Sequence, residues 1–514
     1  MRRLVFAWAI GLLLLLVLVL YDMYPSTARM PEGFASFAEE VGEANQELGV
    51  LAVQHKGRFK PVDTFARENL LEVFGETSLG RHAPTLIVLD WALSPDAWLD
   101  AAIIKIEPAL RSELLSSGES PEKEHVSPHQ LEEILSHRKA SMSMAMGSHQ
   151  GPLARSWMRQ RRRLSTFKSL AENMRVFPLA GQEEWQSLGG ALSDEHSALH
   201  GSCKMLAESL SARNGAHFRK ATADLLQVVS SIRDSSYPPA WRLRLELLYQ
   251  RTRPIGILTI IYLLAAIVCA MGHFVPSKRA LRAGVIMLWA ATIFHILALT
   301  LRAIFAERAM ASNTFEYIIM TTVMTSIAGL VMMLRKKEVI YATIAASLVG
   351  IAHAATSLSP LWDRISPLAP VLQSKWLKYH VSSAAPAYGV LYLACGISIV
   401  FIILRGKGSP KLTANLSNAN FKLIRLGFFL LTIGIITGAT WADKAWGRYW
   451  GWDPKESWSL VAWCIYCAFL HLGFSASGKS RHILLAVIAI VGFIAVLFTF
   501  IGVNYILSGL HSYG

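Results

Sequence analysis

The sequence predicts an all-α polytopic membrane protein, with about nine transmembrane helices and one large, mainly helical extracytoplasmic insert. Three observations carry that reading. Of 514 residues, 53% are hydrophobic and 17% charged, and the mean hydropathy is +0.37, a balance foreign to soluble globular chains. The apolar residues gather in runs near the N-terminus and again from about residue 255 onward, each long enough to cross the roughly 30 Å of bilayer hydrocarbon. Basic residues recur in alternate connections between those runs, as the positive-inside rule requires. A purely soluble enzyme is thereby excluded. The formal charge of +14 does not point to nucleic acid, because Lys and Arg sit mainly in these short connections and in one helical stretch of the insert.

Taken in order, Arg2 and Arg3 precede an apolar run from Leu4 to Tyr21. It is longer than the hydrophobic region of a cleaved signal and reads as an N-terminal anchor over residues 1–21, with Ser26 and Ala28 leaving a cleavage alternative. Residues 22–253 then form an extracytoplasmic soluble domain. From residue 254 to 514 eight further spans follow, at 255–275, 283–301, 314–334, 338–357, 382–404, 422–441, 457–474 and 482–503. The inner connections carry Lys278, Arg279 and Arg282; Arg335, Lys336 and Lys337; Arg405, Lys407 and Lys411; and Lys479 and Arg481. An odd number of spans places the C-terminus outside with the connections near 302–313, 358–381 and 442–456.

The insert shows helical periodicity, as at Leu131, Ile134 and Leu135 or Leu225, Val228 and Val229, punctuated by Pro95, Pro121, Pro152 and Pro238. It holds nine of the 16 histidines. His125 with His129, and His196 with His200, have the i,i+4 spacing of two ligands on one helix face, but without a third ligand a solvated polar face is the simpler reading. Arg155, Arg159, Arg161, Arg162 and Arg163 read as an exposed helix face, with attraction to lipid headgroups as the alternative. Of the five cysteines, Cys203 alone lies in the soluble part, and Cys464 and Cys467, at i,i+3 in a span, read as packing residues.

The most informative stretch runs from Trp441 to Trp458, with Trp463 just beyond: six of the 15 tryptophans fall within 23 residues. One or two would be interfacial anchors. Six, with Gly447 and Gly451 allowing tight turns, suggest a broad flat apolar platform suited to a large planar ligand, and haem is the obvious one. Haem iron takes axial histidines, and its propionates want cations. His380 before the aromatic loop and His511 after it share its side of the membrane, and Lys444 and Arg448 are candidates to meet propionates.

The segment Trp446-Gly-Arg-Tyr-Trp450-Gly-Trp452-Asp453-Pro454-Lys455-Glu456-Ser457-Trp458 resembles the tryptophan-rich WWD signature of the cytochrome c assembly (haem handling) family. Its Asp-Pro-Lys-Glu-Ser-Trp ending is closest to the CcsA/ResC branch of the system II pathway, and the CcmC and CcmF relatives differ after the Asp. Leu372-Gln-Ser-Lys-Trp-Leu-Lys-Tyr-His380, the terminal Gly-Leu-His511-Ser-Tyr-Gly and Ser312-Asn313-Thr-Phe-Glu316-Tyr317 add to the match, which covers residues 255–514. A weaker likeness to long or fused members extends over Gln54 to Thr64. The resemblance implies that His380 and His511 ligate haem at the WWD loop, 441–458, and that Trp441, Trp446, Trp450, Trp452, Asp453, Trp458 and Arg448 build the haem site around them. It also implies that the membrane-embedded His471 receives haem from the cytoplasmic side.

In that family the partner of the embedded histidine belongs to a CcsB/ResB protein, and no complete ResB-like portion precedes the insert here. A separate CcsB/ResB partner is expected, with His273 as an in-chain alternative; His295 and His353 read as hydrogen-bonded bundle residues. The resemblance further implies cytochrome c biogenesis in the bacterial inner (cytoplasmic) membrane: haem b, a transient substrate, is presented for thioether attachment to a CxxCH apocytochrome c. The chain would be part of a cytochrome c synthase (haem lyase) complex and would contribute positioning rather than a nucleophile. The thiols must arrive reduced, so a thioredoxin-like reductant is an expected partner. Two alternatives stay open. A cytochrome b-like electron-transfer subunit would hold haem between paired in-span histidines, and a haem exporter would use the same residues without forming a covalent product.

Overall fold

Long apolar stretches become helices because hydrocarbon offers the backbone no other hydrogen-bond partners. The computed structural model describes residues 2–22, 30–116, 124–137, 152–179, 182–196, 199–232, 237–308, 313–358, 365, 372–406, 409–475 and 479–507. Ser26, Ala28, Ser312, Lys407 and the tail that carries His511 lie outside them.

The chain divides into two units, one of Met1–Met23 with Arg253–Gly514 and one of Tyr24–Thr252. The first is a multi-pass helical membrane unit. Helix α1 (Arg2–Asp22) packs on α2 (Pro254–Phe274) and α5 (Ile340–Ser357). Between these last two in sequence come α3 (Lys278–Ala306) and α4 (Thr314–Lys336). Beyond them stand α6 (Lys375–Leu404), α7 (Pro410–Trp446), α8 (Pro454–Ser475) and α9 (Lys479–Leu497). Among the described residues eight helices, α2 through α9, are long and apolar enough to cross a membrane. The last continues through a π-helical turn, Phe498–Gly502, into a short helix, Val503–Ile506.

The spans centre where hydropathy puts them, but several helices run past the apolar stretch. Helix α6 begins seven residues before the expected 382, and α7 has 37 residues, about 55 Å at 1.5 Å per residue. Hydropathy marks the thickness of the hydrocarbon; backbone hydrogen bonding carries a helix on into the headgroup region.

Helix α4 starts on a buried charge cluster. Asn313 caps it, its Oδ1 accepting from the Glu316 amide at 2.8 Å. The fully buried Glu316 carboxylate takes Arg302 at 3.0 Å and Arg308 at 2.8 and 3.1 Å.

The second unit is mainly helical around a core that includes Trp91, Trp98 and Trp157, all fully buried, each worth on the order of 3–5 kcal/mol against alanine. Beside its helices, as a mainly helical insert allows, stands a small antiparallel sheet. Strand Ala52–His55 pairs with Arg58–Pro61 on one side and Arg175–Phe177 on the other, and Gln186–Ser187 completes it. The segment from Gln54 to Thr64 is thus a hairpin running into helix Val62–Val73. Inside it the buried Lys60 ion-pairs with Glu68, and Arg58 with Glu246 at 2.7 Å.

Neither histidine pair shares a helix face. His125 lies in strand His125–Val126 and His129 in the next helix, where it meets Asp100 at 2.9 Å. His196 sits in a turn before the helix that His200 opens. Helix Pro152–Lys168 exposes Arg155, Arg159, Arg161 and Arg162, but Arg163 turns inward to Glu107 at 2.7 Å.

His125 donates Nε2–H to the Phe74 carbonyl at 2.7 Å and stacks on the Phe74 ring. Burial pushes its pKa below 6.5, helped by Lys105 and opposed by the Phe74 carbonyl, Glu124 and Glu76. The folded unit therefore binds fewer protons than the unfolded chain, so stability from this site is complete above about pH 6.5 and is lost as pH falls through the lowered value. We expect hydrogen-exchange protection of strand Ile104–Lys105 to drop between pH 7 and pH 5 in the wild type. His125→Gln should flatten that drop; an equal drop in the variant would assign it to other groups.

Candidate functional site

The ends of five helices and the residues beside them enclose one cavity in the membrane unit, with about 1290 Å³ of empty space counting its open mouth. Asn313, Thr314 and Tyr317 come from the start of α4, and His380, Val381, Ala384 and Tyr388 from α6. The stretch from Leu431 to Ala442 in α7, including Trp441, forms another wall. Tyr449, Trp450, Lys455, Glu456 and Ser459 come from the aromatic segment, and Thr499, Phe500 and Asn504 from the end of the last span. The starts of α4, α6 and α8 meet the ends of α7 and the last span here, which puts this cavity at one end of the bundle.

His380 is the site's one histidine among the described lining residues. It lies inside α6, not in the preceding connection, and its Nδ1–H donates to the Gly434 carbonyl of α7 at 2.7 Å. A carbonyl only accepts, so the bond fixes the proton on Nδ1 and the lone pair on Nε2, the arrangement found in metal-binding histidines. Gly438, one turn beyond Gly434, lets the ring lie there: a Cβ at 438 would come within 2.8 Å of His380 Nδ1.

The aromatic segment is built by capping. Gly447, at φ 72°, ends α7 by donating its N–H to Asp443 O at 2.8 Å. Asp453 then caps α8 with Pro454 at the first helical position. The Asp453 carboxylate accepts the Lys455 amide at 3.1 Å, while Glu456 Oε2 accepts the amides of Asp453 at 3.2 Å and Gly451 at 2.8 Å. Asp453 and Glu456 therefore shape the loop. Trp452 is held at φ 57°, unusual for a bulky residue, and stands 71% exposed.

The tryptophans do not make one flat platform. Trp441 and Trp446 meet at 66°, and Trp450 and Trp452 at 89°, while Trp458 packs on Phe498. Trp441 and Trp446 are also helical, within α7. Trp441 and Trp450 line the cavity; Trp446, Trp452 and Trp458 do not. Arg448 is exposed and lies against Gly451, and Lys444 pairs with Asp443 at 3.5 Å.

His471 is not brought to the cavity. It stands 16 residues beyond Lys455 on α8, about 24 Å along the axis, exposed near the other end. His273 bonds Thr343 at 3.3 Å. His295 and His353 are fully buried, bonded to Tyr262 at 3.2 Å and Thr322 at 2.9 Å. Their ring centroids are 4.9 Å apart, closer than the roughly 6 Å that two metal–nitrogen bonds of about 2 Å impose on opposed imidazoles. This pair therefore does not bracket a haem, against the cytochrome b-like alternative.

Sequence reasoning passed over Tyr317, Tyr388 and Phe500, whose rings pack together on the cavity wall. Tyr317 stands in the Ser312–Tyr317 motif and was within reach; the other two lie in ordinary apolar runs.

The family model described as "Cytochrome C assembly protein" matches residues 258–511. Over 98% of its length the chain is 28% identical to "Protein NrfI" of Wolinella succinogenes, covering 58% of that protein. It is 44% identical over 174 residues to "Cytochrome c biogenesis protein CcsA" of Chlamydomonas reinhardtii, covering 49% of it. Against the protein of that name in Gloeobacter violaceus it is 35% identical over 231 residues, covering 68%. The chain thus spans only about half of the first two relatives.

Proposed function

The chain belongs to the cytochrome c assembly protein family, and from that premise we propose that it presents haem b at the cavity for covalent attachment to apocytochrome c. The observation that carries this reading is the His380 imidazole, held by Gly434 with its lone pair on Nε2 at the wall of an aromatic cavity. His380 and His511 are the axial ligands, and Trp441 and Trp450 contact the macrocycle. Trp446, Trp452, Trp458, Asp453 and Arg448 shape and flank the site. Haem is taken up near His471, at the other end of α8, with a CcsB/ResB-like membrane protein supplying the second embedded ligand.

In the attachment step each thiol of a CxxCH segment adds across a haem vinyl group. A carbon–sulfur bond forms, the thiol hydrogen goes to the neighbouring vinyl carbon, and no electrons are gained or lost overall. The chain's residues orient the reactants and keep water from the iron. A thioredoxin-like reductant keeps the thiols free. The membrane is the bacterial inner membrane, with the N-terminus cytoplasmic and residues 22–253, the WWD segment and the C-terminus outside.

The test is co-expression of the chain and its partner with an apocytochrome c in a host without its own maturation system, followed by haem staining of a denaturing gel. Staining of the reporter that disappears with His380→Ala is expected. A haem spectrum on the membrane protein with an unstained reporter would instead indicate export or electron transfer.

A further inference from the structure

A cavity that takes haem has to meet its two carboxylates, and the described lining residues include one lysine and no arginine: Lys455. Its position is set from three sides. Its amide is tied to the Asp453 carboxylate, its helix begins at Pro454, and its Nζ donates to Asn504 Oδ1 at 2.8 Å. Asn504 also lines the cavity, from the short helix after the π-helical turn. The Asn504 amide oxygen holds the ammonium by its dipole, and the Asp453 carboxylate acts on it only through space. The acidic lining residue, Glu456, is taken up by two backbone amides of the loop. Lys444 and Arg448 do not line the cavity at all. An ammonium group on the wall of a membrane cavity, whose hydrogen-bond partner is a neutral amide, is matched to an anionic ligand group.

We infer that Lys455 is the carboxylate-binding residue of this cavity. It exchanges the Asn504 amide for one propionate of haem and so selects an acidic tetrapyrrole over an esterified one. The inference rests on the haem reading above and deepens it.

The experiment is titration of the purified full-length chain in lipid nanodiscs with ferric protohaem and with its dimethyl ester, followed by the Soret band. The wild type is expected to bind protohaem at least about tenfold more tightly than the ester, the scale of one charge-assisted hydrogen bond. Lys455→Met should lower protohaem affinity to that of the ester and leave the ester unchanged. Asn504→Asp, which keeps the lysine but gives it a competing carboxylate, should also reduce the preference. A Lys455→Met variant that loses both ligands equally has lost structure rather than a propionate contact, and overturns the inference. So does a preference that survives both substitutions. A wild type that binds neither tetrapyrrole overturns the haem reading itself, an outcome separate from the other two.

Discussion

Gly438→Leu is expected to weaken haem ligation by His380 about 100-fold while the bundle stays folded. The position has no room for a side chain: a Cβ would lie 2.8 Å from Nδ1 and 3.0 Å from Cε1 of the imidazole. The ring has to swing away, and in doing so it breaks the bond to the Gly434 carbonyl. Loss of a neutral hydrogen bond costs about 0.5–1.5 kcal/mol, but the larger effect is on direction, because the lone pair no longer faces where it did. Loss of such an orienting contact lowers metal affinity by roughly 10- to 100-fold, and the added bulk takes leucine to the upper end. Leucine is a better helix former than glycine by nearly 1 kcal/mol, so α7 itself is not weakened. The measurement is the Soret spectrum of the haem-loaded chain against its thermal unfolding midpoint. A normal spectrum in Gly438→Leu would show that this packing does not orient His380.

The second large effect is expected at a residue that does not touch the cavity. Glu316→Ala leaves Arg302 and Arg308, 1% and 7% exposed, without the carboxylate they share. Breaking a buried pair from one side costs about 3–5 kcal/mol. Asn313 would still cap α4, yet Asn313, Thr314 and Tyr317 stand on the same turn as Glu316 and line the cavity. Haem affinity should therefore fall along with the unfolding midpoint in detergent. Loss of stability with unchanged haem affinity would separate the charge cluster from the site.

Much of the fold was legible in the sequence because a membrane imposes one rule, continuous apolar length, and hydropathy reads that rule directly. The ends were less legible. The helix that carries His380 starts at Lys375, in a polar stretch that hydropathy assigns to a connection. The small sheet of the second unit escaped because its strands are two to four residues long, too short for an alternating pattern to register. At the site, His380, Trp441 and Trp450 stood out by residue type. Lys455 stood in the same motif, but only the approach of Asn504, 49 residues later, sets it apart from any other loop lysine. Tyr388 and Phe500 become wall residues only through the packing of α6 against the last span, which no local window contains. The angles between the tryptophan rings are likewise a product of packing, and composition suggested a flatness that the structure does not have.

The π-helical turn at Phe498–Gly502 makes chain length itself part of the site. A π turn holds one more residue than an α turn, so it resets the angular register of whatever follows. Thr499 and Phe500 lie within it and Asn504 just after it, and all three face the cavity. Relaxing the turn to a regular α helix at unchanged length would rotate Asn504 by about 100° away from Lys455. Every side chain could be kept and the site still lost, because this segment counts residues as well as choosing them.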